Sequence, residues 1–500
     1  MITLSSFILA HARETPEREA ISYQGRTMSY AGLSRSIRAV AGVLGDHGVE
    51  PDVTVALLMK NSPAFIQFAM AVGHLGGVYL PVNFRLSAEE VAYIAGDASA
   101  KVMVVDEELA HLVPPGLHHI SVSPEAQFDA AILAAGASGP DEPAHRQPSD
   151  LFRLMYTSGT TSRPKGVMHS YENFYYKSMD HVILLGLGPD TRLLTVGPLY
   201  HVGAFDLPGV AVLWAGGMMA IHRDFDPPAV LSAIDRERLN AAWLAPVMTT
   251  GLLTCPDAGK HDLSSLRWVV GGGERTPESR IAQFGQMFPN ARYIDAYGLT
   301  ESGSGDTFMT AGREMEKIGS AGRATMHVAI AIRDEEGRDQ PSGTEGEICL
   351  RGPKVTRGYW NDPAKTASAF FPGGWFRTGD VGYLDSEDFL FITDRKKDMI
   401  ISGGENIASS EVERAIQMLP EVLDCAVIGM PDERWGERPV AFIVLRAGAV
   451  LSEDDLRTHC RREMAAFKVP DRFIFRQDLP RNASGKVLKR ELRDEIFFPS

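Results

Sequence analysis

Tyr156-Thr157-Ser158-Gly159-Thr160-Thr161-Ser162-Arg163-Pro164-Lys165-Gly166 follows a short apolar run and packs hydroxyls, two glycines and a lysine into eleven residues. Glycine lets backbone N–H groups approach oxygen atoms, the hydroxyls donate further hydrogen bonds, and lysine supplies a point charge, which is the mixture a polyphosphate needs. Lys165 is followed by Gly166, so the GxxxxGK[ST] spacing is absent and a P-loop kinase or ATPase is disfavoured. The alternative is a surface Ser/Thr/Gly loop that holds no ligand.

Outward from this loop the chain alternates in type. A capping box, Ser87-x-x-Glu90, opens a helical pattern, and a buried strand follows at 101–105. Further strand candidates at 53–59, 193–196, 268–270 and 293–295 each lie near a plausible helix, which predicts a layered α/β architecture with parallel sheet. The Gly-, Pro- and Ala-rich stretch 136–149 reads as an exposed connection. The charged run Asp394-Arg395-Lys396-Lys397-Asp398 reads as a domain boundary, although such a run is also what a solvated turn looks like. Beyond it, Ser410-x-x-Glu413 predicts a helix start, 422–430 and 440–445 read as strands, and Ser452-x-x-Asp455 starts another helix. The expected organisation is a large layered α/β region at 1–394, a hinge at 395–398 and a small mobile α+β domain at 399–500.

Five hundred residues exceed one ordinary hydrophobic core, and 44% hydrophobic with 23% charged residues is a globular composition. With 50 Lys and Arg against 64 Asp and Glu, the net charge of -14 disfavours a general nucleic-acid or anionic-membrane binder. Cys255, Cys349, Cys425 and Cys460 are scattered without a CxxC pair, so neither a zinc site nor a disulfide framework is expected. The opening residues carry no basic leader and no stretch is apolar enough to span a bilayer, so the expected location is the cytoplasm.

The segment 156–166 resembles the phosphate loop of the adenylate-forming superfamily, which includes acyl-CoA synthetases, luciferases and peptide-synthetase adenylation domains; Ser162 stands where the family usually has glycine. Further signatures follow in family order. Tyr297-Gly298-Leu299-Thr300-Glu301 is similar to the segment in which Thr meets the α-phosphate and Glu holds Mg²⁺, a metal that prefers hard oxygen ligands. Trp375-Phe376-Arg377-Thr378-Gly379-Asp380 resembles the one whose Asp binds the ribose hydroxyls, and 392–398 resembles the hinge, with Arg395 also reaching the ribose and Lys397 at the pivot. Ser402-Gly403-Gly404-Glu405-Asn406-Ile407 is similar to the loop that shapes the thioester tunnel, and Asn482-Ala483-Ser484-Gly485-Lys486 to the segment bearing the adenylation lysine, where an ammonium offsets charge in the transition state.

The resemblance implies an AMP-forming acid–thiol ligase that uses ATP, Mg²⁺ and coenzyme A. It implies that Thr157, Ser158, Gly159, Thr160, Thr161 and Lys165 contact the phosphates, that Gly272, Gly273 and Glu274 face Asp295, Ala296, Tyr297 and Gly298 across the adenine, that Asp380 and Arg395 take the ribose, and that Gly403 and Gly404 serve coenzyme A. Asp295 could equally cap a neighbouring backbone N–H. The catalytic set it implies is Lys486, Thr300, Glu301 and His201, with Glu301 on the metal.

His201 stands in Pro198-Leu199-Tyr200-His201-Val202-Gly203-Ala204-Phe205, which resembles the acyl-pocket segment. Amino-acid-activating relatives place Asp directly after that ring, whereas this chain has Val202, and Asp206 lies four residues further on. An apolar side chain does not neutralise a buried ammonium. Trp243, Pro246, Met248, Gly271 and Gly303 are wall candidates, or ordinary core, so the expected substrate is a fatty or aryl acid. Fourteen residues follow Lys486, which leaves no room for a fused carrier and makes free coenzyme A the expected acceptor; loading of a separate carrier protein is the alternative, and a homodimer is compatible.

Overall fold

The computed structural model describes residues 3–134, 136, 138–157, 164–272, 278–396, 398–402, 405–432, 434–481 and 487–497, with Glu278, Ser279, Asn406 and Phe497 given by backbone alone. Two mixed sheets build the larger part. In one, Arg292–Tyr297, Trp268–Gly271, Ala241–Leu244, Arg192–Thr195, Met218–Ile221 and Glu19–Tyr23 run parallel side by side, with antiparallel strands added at both edges. In the other, His118–Val122, Val102–Asp106, Thr54–Leu58, Val78–Pro81 and Leu151–Thr157 are parallel, and Lys165–Ser170 closes the edge antiparallel. The expected parallel sheet is thus present as the centre of each sheet, while hairpins supply the edges.

One apolar cluster takes Val55 and Val104 from the second sheet, Leu193 and Met219 from the first, and Phe65, Phe68 and Met70 from the helix Pro63–His74. All twelve residues of that helix are buried, which is why its sequence is apolar on every face rather than along one stripe. Its two polar side chains are satisfied internally. Gln67 donates to the Phe128 carbonyl at 2.9 Å and accepts from the Ala130 N–H at 2.7 Å, and the His74 ring joins Ser5 and the Pro140 carbonyl, each at 2.9 Å.

A third, antiparallel sheet contains Ala329–Arg333, Gly346–Arg351, Trp375–Leu384, Phe370–Phe371 and Leu390–Arg395. The fourth, built on the long hairpin Val422–Asp432 and Gly436–Leu445, carries the helices Ser409–Gln417, Glu453–Glu463 and Lys489–Phe497. Its buried apolar residues, among them Ile400, Val412, Val427, Ile443 and Leu456, form a core of their own.

Two local expectations need correction. The helix expected from a Ser410 capping box begins at Ser409 after Ala408, which makes no side-chain cap. Asp394, fifteen positions earlier, accepts from the Ser409 N–H at 2.5 Å and its hydroxyl at 2.9 Å, so a carboxylate from another strand caps the helix, while Ser410 donates to the Thr393 carbonyl. The stretch 136–149 is not wholly exposed, because Arg146 is buried and paired with Asp52 and, at 3.1 Å, with Asp150.

Candidate active site

The strands Leu151–Thr157 and Lys165–Ser170 pair antiparallel as a β-hairpin with Thr157 and Lys165 as register partners, so Lys165 stands on a strand and not at the start of a helix as in a P-loop. Gly166 is closely packed, since a Cβ there would meet the Tyr156 ring at 3.0 Å and the Trp360 Cβ at 3.2 Å. Lys165 reaches the Glu301 carboxylate at 3.3 Å, and the Tyr359 hydroxyl accepts from the lysine at 2.7 Å while donating to Glu301 at 2.9 Å. Burial, and then the Glu301 charge beside it, pushes the Tyr359 phenol well above its ordinary range, so it remains a donor.

Glu301 sits in the one-turn 3-10 helix Thr300–Ser302, followed by Gly303, Ser304 and Gly305 with φ of 69°, 71° and 68°. This left-handed run folds the chain back on Gly298, where a Cβ would meet the Gly305 nitrogen at 2.4 Å. The turn is gripped through its main chain as well, since the Thr300 carbonyl accepts from His169 at 2.6 Å and the Glu301 carbonyl from the Thr356 N–H at 2.6 Å.

Asp295, Ala296 and Tyr297 end a parallel strand, at the edge where open α/β sheets take their ligands, and Gly271 is the register partner of Asp295. Gly272 therefore lies beside Ala296, whose carbonyl would be 3.2 Å from a Cβ at that glycine. Asp380 and Arg395 are cross-strand partners in the third sheet. The Asp380 carboxylate accepts from the Tyr297 hydroxyl at 2.8 Å and lies 3.2 Å from the Arg395 guanidinium. Asp295, Ala296, Tyr297, Gly298, Asp380 and Arg395 all line one cavity of about 710 Å³. Its opposite wall comes from the C-terminal part and includes Arg414, Arg481 and Lys489.

His201 caps the short helix Val202–Phe205, its Nδ1 accepting from the Gly203 N–H at 3.1 Å, and it is not in the wall of that cavity. Trp243 covers the same helix. A Cβ at Gly197 or Gly203 would come within 2.4 Å or 2.3 Å of its indole, so these two glycines exist to admit the ring. A Cβ at Gly272 would lie 3.9 Å from the Trp243 Nε1.

The structure thus brings Lys165 to Glu301, and gathers 295–298, Asp380 and Arg395 round one cavity. Ser158, Gly159, Thr160, Thr161, Gly273, Glu274, Lys397, Gly403, Gly404 and Lys486 lie outside the described residues. Sequence reasoning missed Tyr359, which follows Gly358 in an aromatic pair that carries no chemical signature. Asp206, four residues past Val202, is engaged inside the fold. That carboxylate is fully buried, 2.6 Å from Arg153 and 3.1 Å from Lys177. Burial alone would raise its pKa, but the two cations beside it hold it down at about 2.

The AMP-binding enzyme family model matches residues 8–360, and that of the AMP-binding enzyme C-terminal domain matches 411–486. A feruloyl-CoA synthase from an Amycolatopsis species is 36% identical over 98% of this chain and 98% of its own. A long-chain-fatty-acid–CoA ligase of Mycobacterium tuberculosis is 36% identical over 94% of this chain and 93% of its own. The crystal structure of an anthranilate CoA ligase in complex with anthranoyl-AMP superposes with a TM-score of 0.91 at 27% identity, covering 98% of this chain and 96% of that one. Matched along nearly its whole length in sequence and in fold, this chain belongs to the AMP-binding enzyme family and is an AMP-forming acyl-CoA synthetase, which uses ATP to ligate a carboxylic acid to coenzyme A.

Proposed function

We propose that the acid is apolar, a medium- or long-chain fatty acid or an aryl or cinnamic-type acid, and that free amino acids are not substrates. The burial of Asp206 between Arg153 and Lys177 carries this reading. It is the carboxylate nearest to His201 in the sequence, and both its charge and its hydrogen-bonding capacity are taken up inside the fold. Val202 and the Trp243 indole leave an apolar surround in the same segment, which favours an uncharged acyl group. Support also comes from relatives whose names specify feruloyl and long-chain fatty acyl products.

In this reading Thr157, Lys165 and the residues between them hold the polyphosphate, Thr300 donates to the α-phosphate, and Asp380 with Arg395 takes the ribose. Glu301 fits a magnesium ligand by the chemistry of its donor atoms, a hard carboxylate set among phosphate-binding groups, and the ion would neutralise phosphate charge there. The acid's carboxylate oxygen attacks the α-phosphorus and pyrophosphate leaves; the coenzyme A thiol then attacks the acyl carbon and AMP leaves. Lys486 serves the first step, His201 lies at the acyl segment, and Gly403 with Gly404 serves the second. The chain divides at 395–398, and the C-terminal domain turns about Lys397 between the two steps.

Thioester formation over a panel of fatty, cinnamic and benzoic acids, with amino acids alongside, tests the substrate reading. Thioesters are expected from one of the apolar classes. Robust ATP–pyrophosphate exchange with a free amino acid would overturn it, and release of pyrophosphate without any thioester when coenzyme A is present would favour a carrier protein as acceptor.

A further inference from the structure

We propose that Asp206, Arg153 and His169 form a buried positioning chain that sets the Thr300–Glu301 turn from behind. The proposal rests on the reading of Thr300 and Glu301 as the phosphate and metal groups. Arg153 and His169 stand directly opposite each other as register partners in the hairpin that bears Lys165. The Arg153 Nε–H donates to His169 Nδ1 at 2.9 Å, which places the imidazole proton on Nε2. That nitrogen donates to the Thr300 carbonyl at 2.6 Å. The rest of the guanidinium is held in turn, donating to Asp206 at 2.6 Å and to the Tyr79 hydroxyl at 2.9 Å, with Lys177 completing the pairing of Asp206.

Every side chain in this series is buried, and burial together with the Arg153 charge keeps His169 neutral, its pKa down at about 3. The ring therefore keeps one donor and one acceptor, and both are engaged. A fully satisfied buried polar network specifies a single arrangement, whereas an apolar side chain at 169 could fill the space and still leave both the Arg153 donor and the Thr300 carbonyl without partners. The hairpin consequently grips the turn twice, at the Thr300 main chain through His169 and at the Glu301 side chain through Lys165. Neither Arg153 nor His169 lines the ligand cavity, so their effect on the reaction is indirect.

Three variants separate positioning from packing. His169→Gln keeps an acceptor for Arg153 and an amide that reaches Thr300; His169→Asn keeps the first and is too short for the second; His169→Leu has neither. In acid-dependent ATP–pyrophosphate exchange, Asn and Leu are expected to lower kcat about tenfold and to raise the Mg²⁺ needed for half-maximal rate, while the KM of the acid and the thioester step from supplied acyl-AMP stay near wild type. Gln is expected to recover most of the loss. Wild-type Mg²⁺ dependence in the Asn variant, or equal losses in Asn and Gln that follow their melting temperatures, would overturn the positioning chain. Glu301→Gln in the same assay distinguishes the two levels. If it leaves the Mg²⁺ titration unchanged, the reading of the turn itself fails; if it is impaired while the His169 variants are normal, only the positioning chain fails.

Discussion

Lys165 and Glu301 face each other at 3.3 Å with the Tyr359 hydroxyl joined to both, so a cation from the hairpin and an anion from the Thr300–Ser302 turn neutralise each other inside one small site. On the proposed reading, polyphosphate with its counter-ion brings the same two charges in complementary order, and each side chain would exchange one partner for another of the same sign. Glu301→Ala should lower adenylation and raise the Mg²⁺ requirement. Tyr359→Phe, which removes one hydrogen bond to a charged group, should raise that requirement about three- to tenfold with folding intact. A Mg²⁺ titration of pyrophosphate exchange checks both, and unchanged curves would remove Glu301 from the metal role.

The two half-reactions should respond differently to the two ends of the C-terminal domain. Lys486→Ala is expected to cost adenylation on the order of 3 kcal/mol or more, as removal of a group aimed at transition-state charge does, and to spare thioester formation from supplied acyl-AMP. Lys397→Pro should do the reverse, since fixing φ at the pivot resists the second arrangement without removing a group from the first. Equal loss of both half-reactions in the Lys486 variant would sink domain alternation for this enzyme.

At Gly203 a methyl group has no room, because its carbon would stand 2.3 Å from the Trp243 indole. Overpacking of this kind costs about 1–3 kcal/mol and must displace either the ring or the helix that His201 caps. Gly203→Ala should therefore reduce activity with bulky acids more than with short ones. Comparing kcat/KM across chain lengths tests it, and a uniform change would detach Trp243 from the acyl site.

Buried histidines make the fold sensitive to acid. His74, His169, His181 and His222 all have pKa values lowered chiefly by burial, His169 to about 3. In that condition the unfolded chain binds more protons than the folded one below about pH 6.5, so stability rises with pH and is complete above that value. For His169 the loss runs from about pH 6.5 down to about 3, at roughly 1.4 kcal/mol per pH unit per proton. Chemical denaturation between pH 4.5 and 7.5 measures the slope, and His169→Gln should reduce it by about one proton. An unaltered slope in that variant would mean that His169 is not the titrating group.

Much of the architecture could be read from sequence because it rests on local pattern. The strand expected at 53–59 is Thr54–Leu58, that at 293–295 is the middle of Arg292–Tyr297, and the Ser87 capping box forms as read. Long-range partnerships were not readable. Asp394 caps a helix fifteen residues away, and nothing near Ser409 signals it. Asp206 looks available in sequence and is sealed in space, because its two cations come from a strand and a helix that approach it only in the folded chain. His201 was read as a ring at the acyl segment, but its Nδ1 already caps a helix, a use that local spacing does not distinguish from a ligand.

The helix Pro63–His74 has no face in contact with water, and its core neighbours come from two different sheets. Neither sheet can complete its interior before the helix is in place, and the helix cannot bury itself against one sheet alone. The two sheets should therefore be gained and lost as a single cooperative unit, whereas the core around Val427 and Ile443 has its own membership and is free to melt separately. Native-state hydrogen exchange would show this as one shared opening energy for amides at 55–57 and 193–195 and a different one at 425–428. Two distinct energies within the first pair would contradict it. Evolution can then retune the small C-terminal part by small changes in stability while the two-sheet body, tied together by one submerged rod, keeps its shape.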